Sequence, residues 1–276
     1  MTTNLPGPLV SASWLADHLD DAVVVDVRWY LDGRSGRAAY EGGHIPTAVW
    51  ADLDSDLSDP PGLPGGRHPL PSPERFAEAM GRLGVGDGDI VVAYDDASGM
   101  VAGRLWWMLD SLGERAAVLD GGITAWADPL VTEASVPPAA RFTSRPWPED
   151  RFVAADDVAT RGERTVLVDA RAASRYRGEE NPIDPRFGHI PGARSGDWSA
   201  YIDNEGHFRP PEELAAHYAE LGIDPETDVI AYCGSGVSAC ADLLALRTVG
   251  NTSTRLYTGS WSEWGADDDR PIETGD

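Results

Sequence analysis

Tyr232–Cys240 reads YCGSGVSAC. The residues just before it, Val229-Ile230-Ala231, run with Tyr232 as a short apolar stretch of the kind a buried strand needs. Cys233 follows, then Gly234-Ser235-Gly236, then the helix-compatible run Ala239–Leu246. A strand passing through a glycine-rich turn into a helix aims several backbone N–H groups at one spot, and the helix N-terminus adds partial positive charge there. A thiol held in such a place is stabilised as the thiolate, the reactive form of cysteine. The plainer reading is a small buried cysteine before a helix, with the glycines serving only the turn. Spacing alone leaves both open.

The 276 residues suffice for one large domain or two of ordinary size, and an apolar share of 42% supports real cores. The N-terminus has no basic segment followed by an apolar stretch, so no secretory leader is expected, and no apolar run approaches the ~18 residues of a membrane span. A soluble, cytoplasmic protein is the expectation. Its two cysteines, Cys233 and Cys240, should then be reduced. No CxxC pair occurs and the six histidines lack metal-ligand spacing, so neither a metal nor another cofactor is expected. A formal charge of −24 argues against nucleic acid and anionic membranes as partners. All 22 basic residues are arginine, which excludes lysine Schiff-base chemistry and a P-loop lysine. The acidic runs Asp267–Asp269 and Asp52–Asp59 read as solvated surface rather than calcium sites.

The chain repeats itself. Pro73–Leu83 (PERFAEAMGRL) aligns with Pro211–Leu221 (PEELAAHYAEL) at an offset of 138 residues, and Tyr94 with Tyr232 and Trp126 with Trp264 fall at the same offset. Upstream, Asp26-Val27-Arg28 matches Asp169-Ala170-Arg171, and Gly43-His44-Ile45-Pro46 matches Gly188-His189-Ile190-Pro191. Between the halves, 128–150 carries Pro129, Pro137, Pro138, Pro146 and Pro148 and reads as an extended linker. Domains are expected at 1–127 and 151–276. Each half alternates short β-branched runs (Ala22–Val25, Ile90–Ala93 and Val118–Leu119, then Val166–Val168, Val229–Ala231 and Leu256–Tyr257) with helical patterns such as Pro73–Leu83 and Pro211–Leu221, stopped by Gly84 and Gly222. The fold class is α/β, with a mainly parallel sheet in each half covered by helices on both faces. Ligands of such sheets sit at the carboxyl ends of strands, where Cys233 falls.

Two differences tell the halves apart. At the position of Cys233 the first half has Asp95, a carboxylate that is no sulfur nucleophile, so only the second half can carry thiol chemistry. His44 and Pro73 are 29 residues apart, whereas His189 and Pro211 are 22 apart. The excess lies in the Gly/Pro-rich stretch Ser55–Pro71, which carries His68; long loops of this kind are usually functional or mobile.

These landmarks resemble the rhodanese superfamily, and within it the tandem-domain sulfurtransferases. The resemblance rests on GHIP in both halves, DVR and DAR after the first strands, and GGITAW and GSWSEW near the domain ends. It covers essentially the whole chain and implies two tandem rhodanese-like domains, the first non-catalytic and the second catalytic. The loop CGSGVS, Cys233 with Gly234, Ser235, Gly236, Val237 and Ser238, is similar to that of the 3-mercaptopyruvate sulfurtransferase branch, usually CGSGVT. Thiosulfate-using rhodaneses carry basic residues after the cysteine, and here there are none; thiosulfate sulfurtransferase is the alternative. The resemblance implies a Cys233 persulfide that passes its outer sulfur to cyanide or a thiol acceptor such as thioredoxin. It also implies a Ser235-His68-Asp54 proton relay, with Asp52 the competitor for Asp54. Arg175 matches the family's substrate arginine; for a second arginine Arg186 is the nearest candidate and Arg177 stands behind it, because the register there is blurred.

Each assignment has a plainer competitor: a surface-loop histidine for His68, a turn residue for Ser235, surface ion pairs for the arginines. His44 and His189 recur in both halves, including the one without a thiol, which favours a structural role. Asp26–Arg28 and Asp169–Arg171 read as ion pairs within each domain, and Cys240, seven residues past Cys233, as core, with a redox partner for Cys233 as its alternative. A cysteine phosphatase would need an arginine where Ala239 stands, and a non-catalytic scaffold would be expected to lose Cys233 as the first half has. The physiological donor and acceptor and the oligomeric state are not written in the sequence.

Overall fold

The computed structural model describes residues 4–62, 64–180 and 183–276. The chain forms two compact units. One comprises Met1–Asp59, Pro71–Trp147 and Asn204–Phe208; the other comprises Pro60–Leu70, Pro148–Asp203 and Arg209–Asp276. The Pro60–Leu70 part of the inserted glycine- and proline-rich loop, including His68, thus packs with the unit that holds Cys233.

The first unit is a five-stranded sheet of β1 (Leu9–Val10), β2 (Ala22–Asp26), β3 (Val49–Trp50), β4 (Ile90–Tyr94) and β5 (Arg115–Leu119), in the order β1-β5-β4-β2-β3. The second repeats it with β6 (Phe152–Val153), β7 (Val166–Asp169), β8 (Arg194–Ser195), β9 (Val229–Tyr232) and β10 (Thr254–Tyr257), in the order β6-β10-β9-β7-β8. Every pairing in both sheets is parallel. The middle strand of each sheet, β4 or β9, delivers Asp95 or Cys233 at its carboxyl end.

Parallel strands need crossovers, and helices supply them. In the first unit these are α1 (Ala12–Asp17), α2 (Gly36–Gly42), α3 (Pro73–Arg82) and α4 (Ala102–Ser111). Ser72 caps α3, accepting from the Arg75 amide, and Pro73 takes a first-turn position where its missing N–H costs nothing. Val24, Val92, Tyr94, Ala117 and Leu119 pack with Leu15 of α1 and Tyr40 of α2. The alternate residues Val25, Val91, Ala93 and Val118 are buried too, and α4 lies against β4 and β5, so both faces of the sheet are covered. The second unit has α5 (Ala155–Ala159), α6 (Ala173–Arg177), α7 (Pro211–Glu220), α8 (Ala239–Thr248) and α9 (Ser260–Trp264). Ala239–Leu246 of α8 are buried all round, as a helix enclosed by its own domain should be. Among the described residues no helix is long and apolar enough to cross a membrane.

The landmarks shared by the two halves turn out to be one buried network, built twice. Arg28 Nη2 donates to Asp26 (2.6 Å) and to the Gly43 carbonyl (2.8 Å); Tyr94 donates to Asp26 (2.8 Å) and its oxygen receives the Ile45 amide (3.2 Å). In the second unit Arg171 Nη2 donates to Asp169 (2.6 Å) and the Gly188 carbonyl (2.7 Å), and Tyr232 receives the Ile190 amide (3.1 Å). His44 and His189 stack on Tyr40 and Tyr176 at 3.8 Å and each donates from Nδ1 to that tyrosine's carbonyl (2.8 Å), which is a structural role in both units.

Asp95 fills the loop that corresponds to the cysteine loop. Its buried carboxylate accepts from the amides of Ala97 and Gly99 at Oδ1 (2.9 Å each) and of Val101 (2.8 Å) and Ala102 (2.9 Å) at Oδ2. Burial pushes this carboxyl above the ordinary range while the four amides pull against it. Asp95→Ala should strand those amides, each unsatisfied group costing roughly 1–3 kcal/mol. Denaturant unfolding should therefore show a loss of about 3 kcal/mol or more; a negligible loss would mean that water serves the loop as well as the carboxylate does.

Candidate active site

Cys233 directly follows β9 and is buried, as are Ser235, Gly236 and Val237, while Ser238 at the N-cap of α8 is half-buried. The turn needs Gly236: its φ is +73°, and a Cβ would meet the Thr258 carbonyl oxygen at 2.5 Å. By the 138-residue offset, the amides that grip Asp95 in the first unit correspond to those of Ser235, Val237, Ala239 and Cys240. The Cys240 amide is spent on the Val237 carbonyl (3.0 Å).

The loop is pinned from the start of α9. Ser260 Oγ accepts from the Cys233 amide (3.1 Å) and donates to the Tyr257 carbonyl (2.8 Å), while the amides of Trp261 and Ser262 bind the Cys233 and Gly234 carbonyls (2.9 Å each). Ser260 adopts φ +53°, where the first unit has Gly122 at +58°. A side chain in this costly conformation is retained because it holds the nucleophile's backbone. Sequence reading missed Ser260; its alignment with Gly122 was the available signal.

His68 Nδ1 and Ser235 Oγ are 2.8 Å apart, both buried, in the same unit as Cys233. Asp54 belongs to the first unit, where it accepts from Trp29 Nε1 (3.0 Å) and its amide binds Asp52 Oδ1 (3.1 Å). Burial, with Asp54 and Asp56 close by, pushes the Asp52 carboxyl up.

Arg175 donates from Nη2 to Asp184 Oδ2 (2.9 Å), and Arg67 pairs through Nη1 with Asp184 Oδ1 and donates from Nη2 to the Gly234 carbonyl (3.2 Å). A Cβ at Gly234 would lie 3.1 Å from Arg67 Nη2 and 3.4 Å from Arg175 Nη2, so the glycine makes room for two guanidiniums beside the cysteine loop. Arg186, the expected second arginine, instead donates to the carbonyls of Asp267 (2.6 Å) and Arg270 (2.9 Å), and Arg177 pairs with Glu179 at the surface. The second cation beside the loop, with Arg175, is Arg67, which sequence reading passed over although it immediately precedes His68.

Neither cysteine is in a disulfide, and Cys240 Sγ donates to the Gly236 carbonyl (3.4 Å) inside the core. Among the described residues no group of three or more His, Cys, Asp or Glu could hold a metal ion.

The rhodanese-like domain model matches residues 11–129 and 154–267, so the chain belongs to the rhodanese family, with two such domains in tandem. Over nearly its full length it is similar to a probable 3-mercaptopyruvate sulfurtransferase of Pseudomonas aeruginosa (43% identity over 97% of this chain and 98% of the relative). It is also similar to a putative thiosulfate sulfurtransferase of Mycobacterium tuberculosis (36%, covering 97% of each). Among solved structures, 3-mercaptopyruvate sulfurtransferase from Leishmania major superposes with a TM-score of 0.86 at 29% identity, covering 97% of this chain and 77% of that one.

Asp242 on α8 is a second feature the sequence did not signal. It is fully buried with neither carboxyl oxygen hydrogen-bonded, and burial, then the charges of Cys233, Asp197 and Asp169, push its carboxyl well up. Folded protein then holds a proton that the unfolded chain releases above about pH 4, so this contribution to stability is lost as pH rises from there. Asp242→Asn should raise the melting temperature at neutral pH, with the gain shrinking toward about pH 4. A gain independent of pH would show that the carboxyl's ionisation is not what is removed.

Proposed function

We propose that this protein is a 3-mercaptopyruvate sulfurtransferase, carrying the sulfur as a persulfide on Cys233. The observation that carries the reading is the His68–Ser235 contact of 2.8 Å in the loop that bears the thiol. A thiolate needs no such pair to attack sulfur; a departing carbanion does. The Cys233 thiolate attacks the donor sulfur, forming an S–S bond. The C–S bond breaks with its electron pair on carbon, leaving the enolate of pyruvate, which must gain a proton. Ser235 and His68 relay that proton. The donor carboxylate is taken by Arg175 and by Arg67, whose forked guanidiniums suit it. In the second half-reaction a thiolate or cyanide attacks the outer sulfur and restores Cys233. A dithiol protein such as thioredoxin fits as acceptor in the cytoplasm, the compartment that keeps both cysteines reduced. The charge of −24 disfavours nucleic acid and anionic membranes.

Thiosulfate is the second reading, kept by the name of the mycobacterial relative. Thiosulfate leaves as sulfite and needs no proton on carbon. Initial rates with the two donors, cyanide as acceptor, should therefore favour mercaptopyruvate. His68→Ala or Ser235→Ala should depress the mercaptopyruvate rate by about 10²–10⁴-fold and the thiosulfate rate much less. Equal losses on both donors would reduce these residues to loop shaping, and a faster wild-type rate with thiosulfate would reverse the donor.

The sulfur should reside on Cys233 alone. Incubation with donor should add one sulfur by mass, mapped to Cys233; Cys233→Ser should lose all transfer and Cys240→Ser keep most. Label found on Cys240 would overturn the assignment. Arg175→Ala should cost about 1.5–3 kcal/mol of donor binding, a rise of tenfold or more in KM for mercaptopyruvate; an unchanged KM in a folded variant would remove Arg175 from the site.

A further inference from the structure

Asp184 is the hub of the cationic side of the site. Its side chain is 1% exposed, and its two oxygens bind two different arginines, Arg67 at Oδ1 and Arg175 at Oδ2. Both guanidiniums border Gly234, next to the thiol. Two arginines sharing one carboxylate leave a single net positive charge. Close by, the Arg171 guanidinium is paired with the Asp169 carboxylate. A third-party acceptor is not needed to fix the fork of Arg67, which already donates to the Gly234 carbonyl. What the carboxylate adds beyond orientation is charge.

We infer that Asp184 is a specificity-determining residue, trimming the Arg67–Arg175 pair to one net positive charge so that the site favours a monoanionic sulfur donor over a dianionic one. The inference rests on the donor reading given above. An added unit of positive charge attracts a dianion twice as strongly as a monoanion at the same distance, so the extra charge that Asp184 cancels would chiefly have served thiosulfate. The same carboxylate lets the two forks keep their remaining donors free of one another, at the orientation a carboxylate can use.

Asp184→Asn keeps the shape and removes the charge. Two readouts test it. The first is protection of Cys233 from iodoacetamide by pyruvate, a monoanion, and by sulfate, a dianion. The second is kcat/KM with mercaptopyruvate and with thiosulfate. The sulfate-to-pyruvate affinity ratio and the thiosulfate-to-mercaptopyruvate ratio should both rise about tenfold, and the rise should shrink at high salt. If both anions weaken together, Asp184 only orients the arginines and the inference is overturned. Should Asp184→Asn fail to fold, Arg175→Gln gives the converse, a net charge of zero, and should lose sulfate protection more than pyruvate protection; equal losses there also overturn it. The protection assay needs no turnover. A wild-type protein that ignores mercaptopyruvate yet shows the charge-dependent protection would sink the donor reading and leave the role of Asp184 standing.

Discussion

The buried ion pair between Asp169 and Arg171 is the interaction from which the rest of the active domain hangs. It lies at the carboxyl end of β7, one strand away from β9, and Arg171 reaches from Asp169 to the Gly188 carbonyl. Tyr232, the last residue of β9, anchors the amide of Ile190 through its hydroxyl. Strand, turn and nucleophile loop are therefore tied at one point, immediately before Cys233. A buried pair of this kind is a poor source of net stability, because desolvation offsets much of its attraction, but its geometry is unforgiving. Its recurrence as Asp26 with Arg28, Gly43, Ile45 and Tyr94 explains why those residues survive in a half that has no thiol. They set the frame and not the chemistry.

On that frame the two halves diverge by the residue they place after the middle strand. The first half puts a carboxylate there and satisfies the loop permanently. The second puts a thiol there, and recruits what the first lacks: a serine in a strained conformation under the nucleophile's amide, a histidine against Ser235, and arginines held by Asp184. Loop flexibility is restrained from both sides, by α9 and by the inserted segment, whose Gly65 and Arg67 amides bind Glu263 Oε1 (2.9 Å) and Ser262 Oγ (3.0 Å).

Much of this was legible from residues in order. The central strands are unbroken apolar runs, the helices carry caps and glycine stops, and the cysteine loop sits in one nine-residue window, so local pattern sufficed. The edge strands Leu9–Val10, Val49–Trp50, Phe152–Val153 and Arg194–Ser195 have two residues each, too few for any periodicity to register. The arginine clamp escaped for a different reason. Arg67 and Asp184 are 117 residues apart, and Arg186, the arginine that spacing favours, satisfies backbone carbonyls of the C-terminal segment. Spacing along a chain says nothing about which guanidinium a fold turns inward. Asp242 was invisible because an aspartate in a helix reads as a solvated face until the helix proves to be enclosed.

The carboxylate of Asp95 has a last consequence, for stoichiometry. A two-fold internal repeat would ordinarily offer two equivalent anion sites per chain, and a ligand titrating both would obscure which one mattered. Here the first cage arrives already occupied by a ligand that is covalently attached and cannot be washed out. Of the two corresponding loops, only the one on the cysteine side is left open to an incoming anion. Duplication has left the protein with its own internal blank.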